Sequence, residues 1–220
     1  VGYDSSYITT YRLPQSHYYV IAKSWYAPEM SRPGCVWTHS FIINLEEISR
    51  DFDFRALFHF FRRPKAPLTG YDTPLNIANE ETWQSSMPLD NFSLKEIAYL
   101  YNILLQGSHE SFLAEYKSVA YQILILSILQ YLPVKAIGDL YICSGTSANP
   151  TGVNNEMNLS FSNSVACRLH DVASIENIPS DSTDLGLVYF ANAIKKQNSK
   201  IDKILRTFSS DIQSNSKKLS

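Results

Sequence analysis

The sequence predicts an α+β fold, and three observations lead there. The N-terminal part concentrates aromatic and β-branched residues of the kind that fit a pleated surface. Residues 93–132 carry helical spacing with strong start and stop signals, and the C-terminal part returns to helical spacing. The expected arrangement is therefore antiparallel strands in the N-terminal part, packed by helices, with a helical C-terminal part.

Taken in order, residues 8–27 read as extended structure, ending at Pro28. Ser31-Arg-Pro-Gly34 is a turn, since proline fixes φ and glycine is free to take φ > 0. Residues 35–43 follow as a second strand, and the two segments are expected to be antiparallel neighbours. Asn44 is expected to cap a helix beginning at Leu45. Residues 52–61 read as a short helix whose Phe54, Leu57, Phe58 and Phe61 share a face, stopped by Pro64. Residues 65–91 contain Pro67, Pro74 and Pro88 and form a long connection, with an edge strand near 75–77 and a sub-domain junction. Ser93-Leu-Lys-Glu96 is a capping box opening a helix that Gly107 ends. A second helix is expected over 111–132, apolar nearly all round in its latter half and hence central, closed by Pro133. Residues 139–144 and 157–161 read as strands, and 185–196 and 200–212 as helices before a tail of linker composition.

Composition bounds the function. The chain has 220 residues, 45% of them hydrophobic and 18% charged, enough apolar material for a sizeable core. Its net charge of −2 and pI near 6.2 lack the overall basic footprint of a dedicated nucleic-acid binder. Arg62, Arg63 and Lys65 form the densest basic cluster. Cys35, Cys143 and Cys167 are widely spaced without a CxxC pair, which argues against a disulfide framework and a zinc site and fits buried thiols in a reducing cytosol. The longest apolar stretch, 123–132, is too short to span a bilayer, so a cytoplasmic location away from membranes is expected. Val1-Gly-Tyr-Asp does not read as a natural beginning, and truncation at the N-terminus is expected.

The densest motif is Trp25-Tyr-Ala-Pro-Glu-Met-Ser-Arg-Pro-Gly-Cys-Val-Trp-Thr-His39, followed by the aliphatic Phe41-Ile-Ile-Asn-Leu45 and the acidic Glu46-Glu-Ile48. It resembles the type 1 N-terminal domain of bacterial GTPase-associated proteins. Tyr7-Ile-Thr-Thr-Tyr-Arg-Leu-Pro14 upstream and Leu57-Phe-His-Phe-Phe-Arg-Arg-Pro64 downstream are similar to that family's approach strand and helix end. Gln130-Tyr-Leu-Pro133 and Leu140-Tyr-Ile-Cys-Ser-Gly-Thr146 are similar to a later block, but Leu132 stands where tryptophan is usual and Val134-Lys-Ala-Ile137 where arginines are usual. The resemblance is specific over 7–64, weaker over 120–146 and absent beyond about 165. The expected organisation is a domain of this type over 1–165, partial at its start, and a helical extension or the start of a next region over 166–220.

The resemblance implies context: such proteins are encoded with a GTPase and a further component in bacterial conflict systems acting against phages. It implies no catalytic residues, so chemistry is read from the residues themselves. Cys35 and His39 on one strand would share a face about 13 Å apart, with Trp37 between them, too far for a thiolate–imidazole pair unless a bulge intervenes. The plain alternative for His39 is a half-buried ring bonded to a backbone carbonyl beside tryptophan. Arg32 at the turn could present a guanidinium to a carboxylate or phosphate, or could pair with Glu29 to hold the loop. Ser144-Gly-Thr-Ser147 lacks the glycine spacing and lysine of a P-loop. His170 and Asp171 are adjacent in sequence and poorly placed to orient one another. The expected function is a non-catalytic adaptor or sensor that contacts the GTPase and further proteins of its system, without cofactor or metal. Trp25, Arg32, Trp37, Arg62 and Arg63 are the partner-binding candidates. The alternatives are a hydrolase using His39 or Cys35 with distant residues, and a nucleic-acid sensor.

Overall fold

The computed structural model describes residues 6–48, 52–64, 89–113, 118–146, 157–162, 173–174, 185–198, 200–201 and 204. One mixed sheet organises them, with seven strands in the order β3-β2-β1-β5-β6-β4-β7. Strands β1 (Ser6–Arg12), β2 (Tyr18–Tyr26) and β3 (Val36–Asn44) form an antiparallel meander. Strands β4 (Glu110–Leu113), β5 (Ile142–Thr146), β6 (Leu159–Ser162) and β7 (Ala173–Ser174) run parallel to one another. The halves join where β1 pairs antiparallel with β5, Thr9 opposite Cys143 and Thr10 opposite Ile142. The α+β expectation, antiparallel strands first and helices packed on them, holds.

The stretch expected to be continuously extended over 8–27 is two strands. Residues 13–17 turn the chain, with Gln15 at φ 56° and the Ser16 hydroxyl donating to the Leu13 carbonyl and accepting from the Tyr18 N–H. Pro14 was the signal for this break. Asn44 caps no helix: its side chain accepts from the Glu46 N–H, closing a local turn instead. The phenylalanine-rich stretch is helical only over α1 (Leu57–Phe60), and Phe61 is already extended, so the helix ends before Pro64. This fits the restriction that proline places on the preceding residues.

Helix α2 (Leu94–Gln106) is capped as read from sequence. Ser93 accepts from the Glu96 N–H at 3.2 Å, Glu96 accepts from the Ser93 N–H at 2.6 Å, and Gly107 ends the helix in the left-handed conformation. Helix α3 (Ser118–Tyr131) starts later than expected because Glu110–Leu113 is spent on β4, where the pairing offered by β6 and β7 outweighs local helical spacing. From Leu124 to Leu132 every residue of α3 and its end is buried, the polar Ser127 and Gln130 included, as a central helix requires. A short α4 (Val134–Ile137) follows Pro133, and α5 (Leu185–Lys195) packs with α2 and α3.

The helices and one sheet face share one core that includes Ile8, Tyr19, Ile21, Leu100, Ile128, Tyr131, Ile142, Phe161 and Ile194. Polar side chains tie it across long separations. Tyr19 donates to the Leu140 carbonyl, Tyr131 to the Ala193 carbonyl, and Lys195 to the Phe92 carbonyl. The expected boundary near 165, the edge strand at 75–77, Cys167, His170, Asp171, most of the helix over 200–212 and the tail lie outside the described residues. Among the described residues no helix is long and apolar enough to cross a membrane.

Candidate functional site

The tryptophan motif occupies the end of β2, the connection 27–35 and the first half of β3. Alternation along the two strands puts Tyr19, Ile21, Lys23 and Trp25 beside Ile43, Phe41, His39 and Trp37 on the helix-bearing face. The segment carrying α1 lies over this face. Phe61 packs edge-on to Trp25 and His39 and tilted against Phe41, with centroid separations of 6.5, 5.8 and 4.9 Å. Gln130 of α3 holds the segment from behind, accepting from the Phe54 N–H at 2.8 Å.

Glu29 is the hub of the connection. Its carboxylate accepts from Trp37 Nε1 at 2.8 Å and from the Arg63 guanidinium at 2.7 and 2.8 Å. The same Arg63 nitrogen donates to the Tyr26 carbonyl at 3.2 Å. The backbone hydrogen bond at Glu29, together with Trp37 and Arg63, holds the carboxyl below its ordinary pKa. Sequence proximity suggested Arg32 as the partner, but Arg63 takes that place. It arrives on an element already fixed by Phe61, whereas Arg32 sits at the exposed tip. Arg32 makes no hydrogen bond or ion pair with the described residues. Gly34, at φ 81°, turns the chain, and the Ala27 N–H donates to the Cys35 carbonyl to close the corner.

His39 is half-buried, and its Nδ1 accepts from the Arg62 N–H at 3.0 Å. The bond is to a backbone N–H, not the carbonyl that sequence suggested, so Nδ1 is unprotonated and the ring neutral with its proton on Nε2. Burial, then the nearby Arg62 charge, lowers its pKa and favours that state. Cys35 lies one residue before β3, half-buried and free of any disulfide. The β2–β3 register is unbroken from Val36 to Asn44, so no bulge draws Cys35 toward His39. Trp25 is in the core margin and Trp37 is bound to Glu29. Of the basic cluster, the Arg62 side chain is exposed, Arg63 is engaged with Glu29, and Lys65 lies outside the described residues.

Lys23 is the feature that sequence reading passed over. It sits directly opposite His39 and is only 8% exposed. Its Nζ lies 4.1 Å from the Phe58 ring centroid and 5.5 Å from that of Trp25, with no carboxylate partner among the described residues. Burial lowers its pKa from 10.5 to about 8. A signal was present: Lys23 holds the core-facing position between Ile21 and Trp25 in an alternating strand.

A groove of about 530 Å³ lies elsewhere, at the N-terminal ends of β4, β5 and β6, lined among others by Gly107, His109, Asp139, Tyr141 and Asn158. Two of its polar side chains serve the backbone: Asn158 accepts from the Tyr141 N–H and donates to the Gly107 carbonyl, and His109 Nδ1 meets the Met157 carbonyl, while Asp139 pairs with Arg12. The chemistry-bearing residues of the motif do not reach it. Among the described residues no group of three or more His, Cys, Asp or Glu is arranged to hold a metal ion.

No curated protein and no solved structure is significantly similar to the chain. Residues 3–61, roughly a quarter of the chain and the whole of β1, β2, β3 and α1, match the family model of GTPase-associated protein 1, N-terminal domain type 1.

Proposed function

We propose that this chain is a non-catalytic adaptor or sensor domain of a GTPase-linked bacterial conflict system directed against phages. It would act in the cytoplasm by contact with the GTPase and further proteins of the same system. The family match supports the GTPase link. The observation that carries the non-catalytic reading is where the motif's polar groups go. Glu29, Trp37, Arg63 and His39 are spent on one another or on backbone, bracing the corner between β2, β3 and α1. A nucleophile or general base needs a lone pair aimed at substrate, and Nδ1 of His39 is occupied by a backbone N–H.

What the corner presents outward is the tip around Arg32, with Met30 exposed beside it. A guanidinium with no partner among the described residues, on a braced turn, suits a carboxylate-bearing protein surface. The test is binding of the purified chain to the GTPase encoded with it, with and without GTP, for wild type and Arg32→Glu. Reversal of this charge should weaken binding at least about tenfold, the range expected for a lost charge-assisted contact. Equal binding by both proteins, or none by either, would overturn the assignment.

A further inference from the structure

We propose that β3 is the self-pairing edge of a two-fold dimer, in which the strands of two copies join antiparallel about Ser40 and extend the sheet across both molecules. Among the described residues, strand β3 ends the sheet on one side. Its ladder with β2 is bracketed by the Ala27 N–H to Cys35 carbonyl bond and the Leu45 N–H to His17 carbonyl bond. Antiparallel ladders alternate, so odd-numbered positions of β3 bond inward to β2 and even-numbered positions turn their backbone groups outward. The N–H and C=O groups of Val36, Thr38, Ser40 and Ile42, with the N–H of Asn44, therefore face away from the sheet. None of them makes a hydrogen bond within the described chain.

Sheet edges left open to water are ordinarily blunted by lysine, proline, a bulge or shortness. Strand β3 has none of these. It runs nine residues, Val-Trp-Thr-His-Ser-Phe-Ile-Ile-Asn, without Pro, Lys, Arg, Asp or Glu, in unbroken register with β2. It also leaves Val36 45% and Ile42 63% exposed. Another strand satisfies such a row of alternating donors and acceptors all at once, where water would otherwise bind each group singly.

The sequence of β3 matches itself. Antiparallel pairing centred on Ser40 sets Trp37 against Ile43 and His39 against Phe41 on one face. On the other it sets Thr38 against Ile42, Val36 against Asn44, and Ser40 against its own copy. All but Val36–Asn44 join aromatic, β-branched or hydroxyl side chains of the kind that stabilise sheets, and no like charges are opposed. The register uses the outward positions throughout and forms about eight ladder hydrogen bonds. An isologous contact of this kind closes on itself and leaves no further edge on that side. It needs no other protein, so it stands or falls apart from the GTPase reading.

The test is sedimentation velocity of the 220-residue chain from ~1 to ~100 µM, a range over which a mass-action dimer changes its populations. Ser40→Lys and Ser40→Glu each oppose like charges across the two-fold axis at an exposed position. Each should raise the dissociation constant at least about tenfold, and an equimolar mixture should recover the dimer. Hydrogen exchange of wild type should slow at the Thr38, Ser40 and Ile42 amides as concentration rises. Should either Ser40 variant lose the wild-type circular dichroism spectrum, Ile42→Lys poses the same question at the most exposed position of the strand. A wild-type chain monomeric over the whole range, a dimer indifferent to these substitutions, or variants that do not recover on mixing would overturn the proposal.

Discussion

Replacing Lys23 with methionine should stabilise the protein at neutral pH and erase one pH-dependent part of its stability. The Lys23 ammonium is enclosed by Phe58, Trp25 and Phe61 and has no counter-ion among the described residues, and burial brings its pKa from 10.5 to about 8. At ~1.4 kcal/mol per unit this corresponds to ~3 kcal/mol against the charged form. Cation–π attraction returns ~1 kcal/mol. Nζ is also not among the fully enclosed polar atoms without a partner, so some hydration persists. The expected gain for Lys23→Met at pH 7 is thus about 1–2 kcal/mol, the methionine filling the same channel between the rings. The pH dependence follows from linkage. Between about pH 8 and about pH 10.4 the unfolded chain keeps the lysine proton and the folded chain releases it, so wild-type stability gains with rising pH through that window. The gap between variant and wild type should accordingly be full below about pH 8 and close as pH approaches about 10. Cys143 and Tyr101, whose pKa values burial raises, titrate in both proteins and cancel in the difference. Urea unfolding followed by tryptophan fluorescence, at intervals from about pH 7 to about pH 10, measures it. A gap that does not change with pH, or a variant less stable than wild type at pH 7, would refute the reasoning.

Three other outcomes are expected. Asn158→Ala leaves the Tyr141 N–H and the Gly107 carbonyl without their partner, costing about 2–3 kcal/mol, which calorimetry would read as a Tm lower by roughly 5–10 °C. Gly107→Ala meets no atom within 4 Å of the added methyl group, yet should cost about 1 kcal/mol because Gly107 sits at φ 66°, and Gly107→Asn should cost less. The depressed pKa of Glu29 means that its support for the corner is present above the ordinary carboxylate range and lost as pH falls through the lowered value. The Nε1–H resonance of Trp37 should therefore move at acid pH in wild type and stay still in Glu29→Gln.

Much of the fold was legible because local signals and tertiary structure agreed. The Ser93–Glu96 box, Gly107 in the left-handed region and the apolar run of α3 are each sufficient to define what they define. Residues 111–113 were misread because their neighbours carry helical spacing while the parallel partners that recruit them lie beyond residue 158. The sheet order was likewise not legible, since Thr9 and Cys143 pair across more than half the chain. At the site, sequence placed Trp37 and His39 on one face by simple alternation, while Trp25 joins them only through the β2–β3 register. It missed Glu29–Arg63, because which arginine reaches a carboxylate depends on where Phe61 docks α1 and not on spacing.

The junction of β1 with β5 separates two ideas of what a unit is. The family-model match stops at residue 61, but the atoms do not. The Ile8 N–H is satisfied by the Ser144 hydroxyl, the Ser6 carbonyl by Gln122, the Tyr19 hydroxyl by Leu140, and the Phe54 N–H by Gln130. A clone ending at Pro64 would leave the long flank of β1 bare and the underside of the meander wet. The matched portion is thus a half-shell closed by residues that lie beyond the match. Exchange of the motif between related proteins by recombination must carry that remainder with it, or find a receiving fold that already supplies a matching strand and helix.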